Sequence, residues 1–277
     1  MKLYHTIYNG LSKAGLGSLI QAQLILNHYS FYKNKSIFFP GFKNLDHWQN
    51  SNKTQEIFSN ELNMFVTDKL SNIDESESKY INHLFLVKFW VEFNLDDIIK
   101  YNRIKYQGIF NKKANKEFTV AIHYRALLTS DRGINSESQR FSSKEFYINA
   151  IKYCLENYNQ KIQFNLFCVN KDDTTKYLSD KFDVNVLDNS DLKLTYENLI
   201  FSDILIASKS SLSWSAHLYG INKLVIAQPF WHPWSKGTVL FNEQGNKKNY
   251  HYSYKAIYRK IKSLKYMFLI NQKTNIF

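Results

Sequence analysis

The sequence predicts an α/β protein built from two Rossmann-like units that face each other across a cleft. Three observations support this class. From residue 118 onward, five short apolar runs alternate with four segments of helical periodicity, as in βαβ units on a parallel sheet. A strand, turn, helix and strand pattern precedes them within residues 2–41. The chain has 277 residues, of which 44% are hydrophobic, which suffices for a large core.

The N-terminal unit is predicted to span residues 1–115 and to form the acceptor side of the cleft. KLYHTIYNG is predicted to be a strand, LSKAGLG a turn, LGSLIQAQLILNHYSFY a helix and KSIFFPG the next strand. Residues 50–78 are polar and irregular. Residues 78–104 are predicted to form one long helix, and the lysine-rich residues 111–117 a hinge.

The C-terminal unit is predicted to span residues 116–250. Its five predicted strands are FTVAIHY, IQFNLFCV, DVNVLD, DILIAS and KLVIAQPFW. The helix after the first strand has an apolar face, Ser142 or Ser143 as N-cap, and Glu145 in its first turn. In open parallel sheets, ligands bind at the carboxyl ends of the strands. His123 and Arg125 lie at such an end, and so do residues 208–213, which we call the serine block.

The composition limits the protein's environment and partners. The two cysteines, Cys154 and Cys168, have no metal-ligand spacing and are predicted to be reduced core residues of a cytosolic protein. The N-terminus lacks the pattern of a leader, and no apolar run reaches the roughly 18 residues of a membrane span. The formal charge of +12 favours anionic partners, although a biased base composition also accounts for part of the lysine excess.

Residues 251–277 are predicted to form a basic amphipathic helix. An apolar stripe that includes Tyr254, Ile257 and Tyr258 alternates with lysine and arginine. Such a helix suits an anionic membrane surface, and equally suits packing on the first unit with its basic face in water. The first alternative predicts a cytoplasmic protein attached to the inner face of a membrane.

Two sets of polar residues indicate an anion site. The guanidinium of Arg125 is a planar fork suited to a phosphate, and His123 lies on the same strand edge. The alternative is a core histidine beside an arginine paired with Asp131. The serine block runs from a strand into a helix, and its hydroxyls and free N–H groups are predicted to form an anion cradle. The alternative is that Ser210 or Ser211 is merely the N-cap of this helix. Gly15 and Gly17 either admit a phosphate to the backbone or form a tight turn.

Four segments in this order resemble the fucosyltransferase superfamily, which includes bacterial α-1,2-fucosyltransferases and the α-1,6 and protein O-fucosyltransferases. They are AGLGSLIQAQ, VAIHYR, FCVNKDD and IASKSSLSWSAHLYGINKLVIAQPFW. The resemblance covers residues 1–231 except 50–104. The last segment is the most specific, because bacterial members carry a Ser-Ser-Phe-Ser-Trp run there.

The resemblance implies a GT-B-like fold and a metal-independent, inverting transfer from GDP-fucose to a hydroxyl of a glycan. Arg125 would hold the donor diphosphate with His123 beside it, and residues 15–18, including Ser18, would close the cleft. The donor pocket would include four residues of the serine block, namely Ser210, Ser211, Leu212 and Ser213. The chain departs from the family pattern at Ala126, where a second arginine is common, and at Thr195, where several members have an aspartate that binds guanine; Glu197 lies nearby.

The catalytic base and the competing functions stay open. Asp131 is the first candidate base because its loop follows His123 and Arg125; Asp46, His47, His5 and Glu137 are the others. One alternative function is transfer from another nucleotide sugar, and a second is a non-catalytic basic module. Nucleic acid is not the expected partner, because the basic residues are dispersed and no RNA-binding motif is present. The glycine pattern does not fit a dehydrogenase.

Overall fold

The computed structural model describes nine stretches of the chain: 3–4, 16–34, 37–38, 79–80, 94–105, 117–125, 141–188, 191–230 and 232–248. The predicted helix at 251–277 lies outside them, as do all of the irregular region at 50–78 and residues 111–116 of the predicted hinge. No helix within the described stretches is long and apolar enough to cross a membrane.

Within the described residues, the N-terminal part shows a small parallel sheet and two helices. Strand β1 (Leu3–Tyr4) is its centre and pairs in parallel with β2 (Ile37–Phe38) and β3 (Lys79–Tyr80). Helix α1 (Leu16–Lys33) connects the first two strands, as the sequence predicts, and α2 (Leu95–Lys105) follows the third.

The prediction of one long helix over residues 78–104 is wrong. Residues 79–80 pair with β1, and the helix begins only at Leu95. The Asn94 side chain accepts a hydrogen bond from the backbone N–H of Asp96 at 3.2 Å, which satisfies a donor that the helix itself leaves without a partner. Residues 78–104 therefore begin with a strand and end in a helix that starts at Leu95.

The C-terminal part is a seven-stranded sheet with helices between its strands. The strands are β4 (Phe118–His123), β5 (Ile162–Cys168), β6 (Asn185–Asp188), β7 (Ile204–Ala207), β8 (Leu224–Ala227), β9 (Val239–Phe241) and β10 (Lys247–Lys248). The helices are α3 (Lys144–Asn157), α4 (Asp173–Phe182), α5 (Leu192–Phe201) and α6 (Ser211–Tyr219). All five predicted strands and four predicted helices of this unit are present, so the predicted α/β class is confirmed.

The strand order places the two predicted site segments side by side. The order is β10-β9-β8-β7-β4-β5-β6, and every pair except β10 with β9 is parallel. Strands β5 and β6 follow β4 on one side of the sheet. The chain then crosses back, and β7 pairs with the opposite edge of β4 and is followed by β8 and β9. This is the Rossmann order, and ligands bind such sheets where the order reverses, outside the carboxyl ends of the strands. Here that point lies between β4 and β7.

The central strands β4 and β7 are buried on both faces, which explains their continuous apolar sequences. Val120 and Ile204 lie on one face and Ala121 and Leu205 on the other, and each is at most 1% exposed. Cys154 and Cys168 are free and buried, as predicted. The polar caps that the sequence predicts also form: Ser143, not Ser142, caps α3 by accepting from the Phe146 N–H at 3.2 Å.

Candidate functional site

The candidate site lies where β4 and β7 end. Ile122 and Ile206 are paired in the sheet, so the residues that follow them emerge next to each other. From β4 these are His123, Tyr124 and Arg125, and from β7 they are Ser208 and the rest of the serine block. The sheet therefore joins the two motifs that the sequence analysis identified separately.

His123 is held by two serines of the block. Its Nδ1 lies 2.5 Å from Ser213 Oγ and 2.9 Å from Ser208 Oγ, and the two hydroxyl oxygens are 3.1 Å apart. Burial, and then the charge of Arg125, lower the pKa of His123 to about 3. The imidazole is therefore neutral at physiological pH, although part of its surface remains exposed.

The first turn of α6 provides backbone donors at the same place. Ser210 is the N-cap and accepts from the Leu212 N–H at 3.2 Å. Ser211 and Leu212 are partly exposed, and Ser211 Oγ lies 3.5 Å from Nε2 of His232. Because the start of a helix carries a partial positive charge, this turn favours a bound anion beside Arg125.

Gly17 lies directly against this turn. A Cβ added at Gly17 would lie 2.2 Å from the backbone nitrogen of Leu212 and 2.5 Å from the carbonyl carbon of Ser211. A glycine is therefore needed for α1 to approach α6, whichever ligand binds there. The side chain of the neighbouring Ser18 lies outside the described residues, and so does all of Gly15.

Tyr124 and Tyr147 form hydrogen bonds at the carboxyl end of β4. The Tyr124 hydroxyl donates to Asp172 Oδ2, and the Tyr147 hydroxyl donates to the backbone oxygen of His123 at 3.4 Å. Asp172 also caps α4, where its other carboxylate oxygen accepts from the Thr175 N–H at 2.9 Å. Burial raises the pKa of both tyrosines, so both hydroxyls keep their protons as donors.

Lys209 is a residue of this region that the sequence analysis missed. Only 3% of its side chain is exposed, and its ammonium group donates to Glu243 Oε1 in the turn between β9 and β10. Gln228 Nε2 lies 3.4 Å from Glu243 Oε2, and the Ser143 hydroxyl donates to the Glu243 backbone oxygen at 2.6 Å. The sequence shows only a lysine between two serines after a buried strand. Because lysines are usually exposed to solvent, this pattern did not predict a buried ion pair.

The unequal burial of this ion pair predicts unequal effects of removing its members. Glu243→Gln leaves a buried ammonium without a counter-charge and is expected to cost about 3 kcal/mol. Lys209→Met leaves a carboxylate that is 55% exposed and that water can solvate, so about 1 kcal/mol is expected. Urea unfolding measures both, and the double variant should recover most of the larger loss. Equal costs for the single variants would contradict this account.

The other predicted site residues lie elsewhere or outside the described stretches. Thr195 and Glu197 are partly buried on α5, on either side of Tyr196, whose hydroxyl donates to Ser215 Oγ at 3.2 Å. Asp131 lies outside the described residues. Among the described residues, no group of three or more histidine, cysteine, aspartate or glutamate side chains could hold a metal ion.

A shallow groove of about 340 Å³ lies beside α4 and is lined in part by Lys171, Asp172 and Lys176. Two of its charged groups have protein partners: Lys171 pairs with Asp188 at 3.0 Å, and Asp172 caps the helix. We place the candidate site between β4 and β7 instead, because cationic and N–H donors converge there.

Comparison with known proteins adds little. No protein-family model and no curated sequence matches the chain. Two solved structures of E. coli heptosyltransferase WaaC, with ADP-2-deoxy-2-fluoro heptose and with ADP, are 12% identical with a TM-score of 0.43. The matches cover 95% of this chain and 99% and 97% of theirs. A likeness this weak carries no inference, and the resemblance to fucosyltransferases stays a prediction. Any proposal of function depends on this chain's own residues.

Proposed function

We propose that the protein is a glycosyltransferase that uses a nucleotide-sugar donor and a glycan acceptor. The observation that carries the proposal is the position of His123 and Arg125 beside the serine block, at the point where the strand order reverses. Nucleotide ligands bind Rossmann sheets at this point. The four sequence segments that resemble fucosyltransferases favour a sugar donor over other nucleotides.

The groups at this point suit the departure of a nucleoside diphosphate. Arg125 offers a fork for two phosphate oxygens, and the first turn of α6 offers backbone N–H groups and the positive end of its dipole. Fixed donors of this kind stabilise the charge that develops on the leaving group. We therefore propose an inverting transfer that needs no metal ion.

GDP-fucose is the donor that we propose, on the strength of the family resemblance. Thr195 stands where several members of the family have a guanine-binding aspartate, so a nearby carboxylate such as Glu197 would have to accept from the guanine N–H edge. Another nucleotide sugar is the alternative donor. We also propose that Gly15, Gly17 and Ser18 bind the donor from the N-terminal unit and close the cleft over it.

The acceptor that we propose is a hydroxyl group of a surface glycan or polysaccharide. A base must take the proton of that hydroxyl, and Asp131 is the candidate. We also propose that residues 251–277 attach the enzyme to the cytoplasmic face of an anionic membrane. Flotation with liposomes tests this attachment, and equal recovery on neutral and anionic vesicles would contradict it.

The variant Arg125→Ala tests the donor site. We expect GDP to bind the wild type without added metal and to bind this variant about 30-fold more weakly, because a charge-assisted bidentate contact is lost. Calorimetry with GDP, UDP, CMP, ADP and GDP-fucose measures the affinities. Lys152→Ala is the control, since it removes one positive charge from an exposed position on α3 and should bind as the wild type does.

The pattern across nucleotides decides between the alternatives. Binding of UDP or CMP but not GDP would keep the glycosyltransferase and reject fucose. Binding of no nucleotide would reject the donor site. A salt-sensitive affinity for random oligonucleotides would then favour the basic binding module.

A further inference from the structure

His123, Ser208 and Ser213 form a closed triangle of polar atoms. Each of the three atoms, the imidazole Nδ1 and the two hydroxyl oxygens, lies within hydrogen-bond distance of the other two. Ser208 is 1% exposed and Ser213 is fully buried, so water does not reach their hydroxyls. The hydroxyl protons must therefore find acceptors in the protein.

A count of protons distinguishes the two neutral forms of the imidazole. If the ring proton is on Nε2, then Nδ1 accepts from one hydroxyl, and that serine accepts from the other. Every proton inside the triangle then has an acceptor. If the ring proton is on Nδ1, the Nδ1–H donates to one serine oxygen and Nδ1 can no longer accept. One hydroxyl can then donate to the other serine, and the remaining hydroxyl proton needs an acceptor outside the triangle. Among the described residues, neither hydroxyl contacts a further acceptor, so this form buries an unsatisfied donor.

The protonated imidazolium is disfavoured by its surroundings. It would place a second positive charge beside Arg125 in a largely buried position, and burial and that charge both lower the pKa of His123. It would also put a proton on Nδ1 and meet the same shortage of acceptors. The Nε2-protonated neutral form is the one in which every proton within the triangle has an acceptor.

We propose that Ser208 and Ser213 are positioning residues that hold His123 as a neutral imidazole with its proton on Nε2. His123 then presents a hydrogen-bond donor to the ligand and does not act as a base. The assignment of the proton rests on the triangle alone. The identity of the ligand, the diphosphate of a donor, rests on the proposed function.

Either serine alone can donate a hydrogen bond to Nδ1 of His123, so the single and double variants are expected to behave differently. In Ser213→Ala, the Ser208 hydroxyl still lies 2.9 Å from Nδ1 and can donate to it. In Ser208→Ala, Ser213 remains as the donor. Only the double variant Ser208→Ala/Ser213→Ala removes both donors, so only there does Nε2 protonation lose its support.

The experiment is ¹⁵N NMR of the full chain with labelled histidine, at neutral pH and without ligand. Absence of a signal in His123→Gln assigns the ring, and the ¹⁵N shifts then report which nitrogen carries the proton. We expect protonation at Nε2 in the wild type and in both single variants, and a mixture of the two neutral forms in the double variant. Ser215→Ala is the matched control, because Ser215 is equally buried on α6 and hydrogen-bonds to Leu212 and Tyr196.

Protonation at Nδ1 in the wild type would overturn the proposal, and so would a double variant whose His123 stays fully protonated at Nε2. If the double variant does not fold, the wild-type spectrum still decides the assignment of the proton. Failure of every nucleotide to bind would reject the proposed function and leave this spectrum unchanged, so the two failures are distinguishable.

Discussion

Gly17→Ala is expected to destabilise the protein by about 3 kcal/mol, at the upper end of the usual cost of overpacking a core. The new methyl group would lie 2.2 Å from the backbone nitrogen of Leu212. The obstacle is the backbone of α6 and not a flexible side chain, so α1 and α6 must move apart. The expected separation would also displace the helix start that we assign to the donor phosphates.

Helix propensity acts in the opposite direction and is smaller. Alanine is favoured over glycine inside a helix by about 1 kcal/mol, so an unobstructed Gly17→Ala would stabilise α1. Gly237→Ala is a useful comparison, because its Cβ would meet nothing within 4 Å but the residue has a φ of 108°. We expect about 1 kcal/mol for that strain alone. Urea unfolding measures both; a stabilised Gly17→Ala would show that the two helices are not in contact.

Acid is expected to destabilise the protein through histidines that are buried in the neutral form. The pKa of His217 is lowered to about 3, first by burial and then by the charge of Arg103, and the pKa of His123 is lowered to about 3 as well. The unfolded chain protonates its histidines near pH 6.5, so between pH 6.5 and 3 it binds more protons than the folded chain does. The stability that these groups confer is present above pH 6.5 and is lost as the pH falls through this range.

The expected loss between pH 7.5 and 5 is about 2 kcal/mol for His217, and at most that for the partly exposed His123. The free energy of unfolding in urea, measured across this range, checks it. His217→Gln keeps an acceptor for the Ser235 N–H, which lies 3.4 Å from His217 Nε2, and should flatten the pH profile. An unchanged profile in this variant would mean that the pKa of His217 is the same in the folded and the unfolded chain.

The interior of the larger sheet was predictable because its elements carry strong local signals. Five strands are short apolar runs, and the serine and aspartate N-caps of α3 to α6 mark where those helices begin. Strands β3 and β10 gave no such signal. β10 is the exposed pair Lys247–Lys248, and only its pairing with β9 makes it a strand. In the same way, Lys79–Tyr80 is a strand only because β1 lies beside it.

The site was predictable in its residues but not in their roles. The sequence indicated that the serines form an anion cradle or an N-cap, and Ser210 does cap α6. The contacts of Ser208 and Ser213 with His123 were not predicted. The neighbour of His123 depends on which strand pairs with β4, and no local pattern encodes that order. The ion pair of Lys209 and Glu243 has the same origin, because its members lie 34 residues apart.

The return of the chain from β6 to β4 has a consequence for folding. His123 and Ser208 are 85 residues apart in sequence. Their contact forms only when β7 pairs with the edge of β4 that faces away from β5, and the helices α3, α4 and α5 lie between these two strands in sequence. Closing so long a loop is slow, because its entropy is lost before the contacts form. We expect the local hairpin of β9 and β10 and the helices to form early, and the candidate site to form only when β7 pairs with β4. Protection of the Ile206 amide from hydrogen exchange should therefore appear together with the ability to bind ligand.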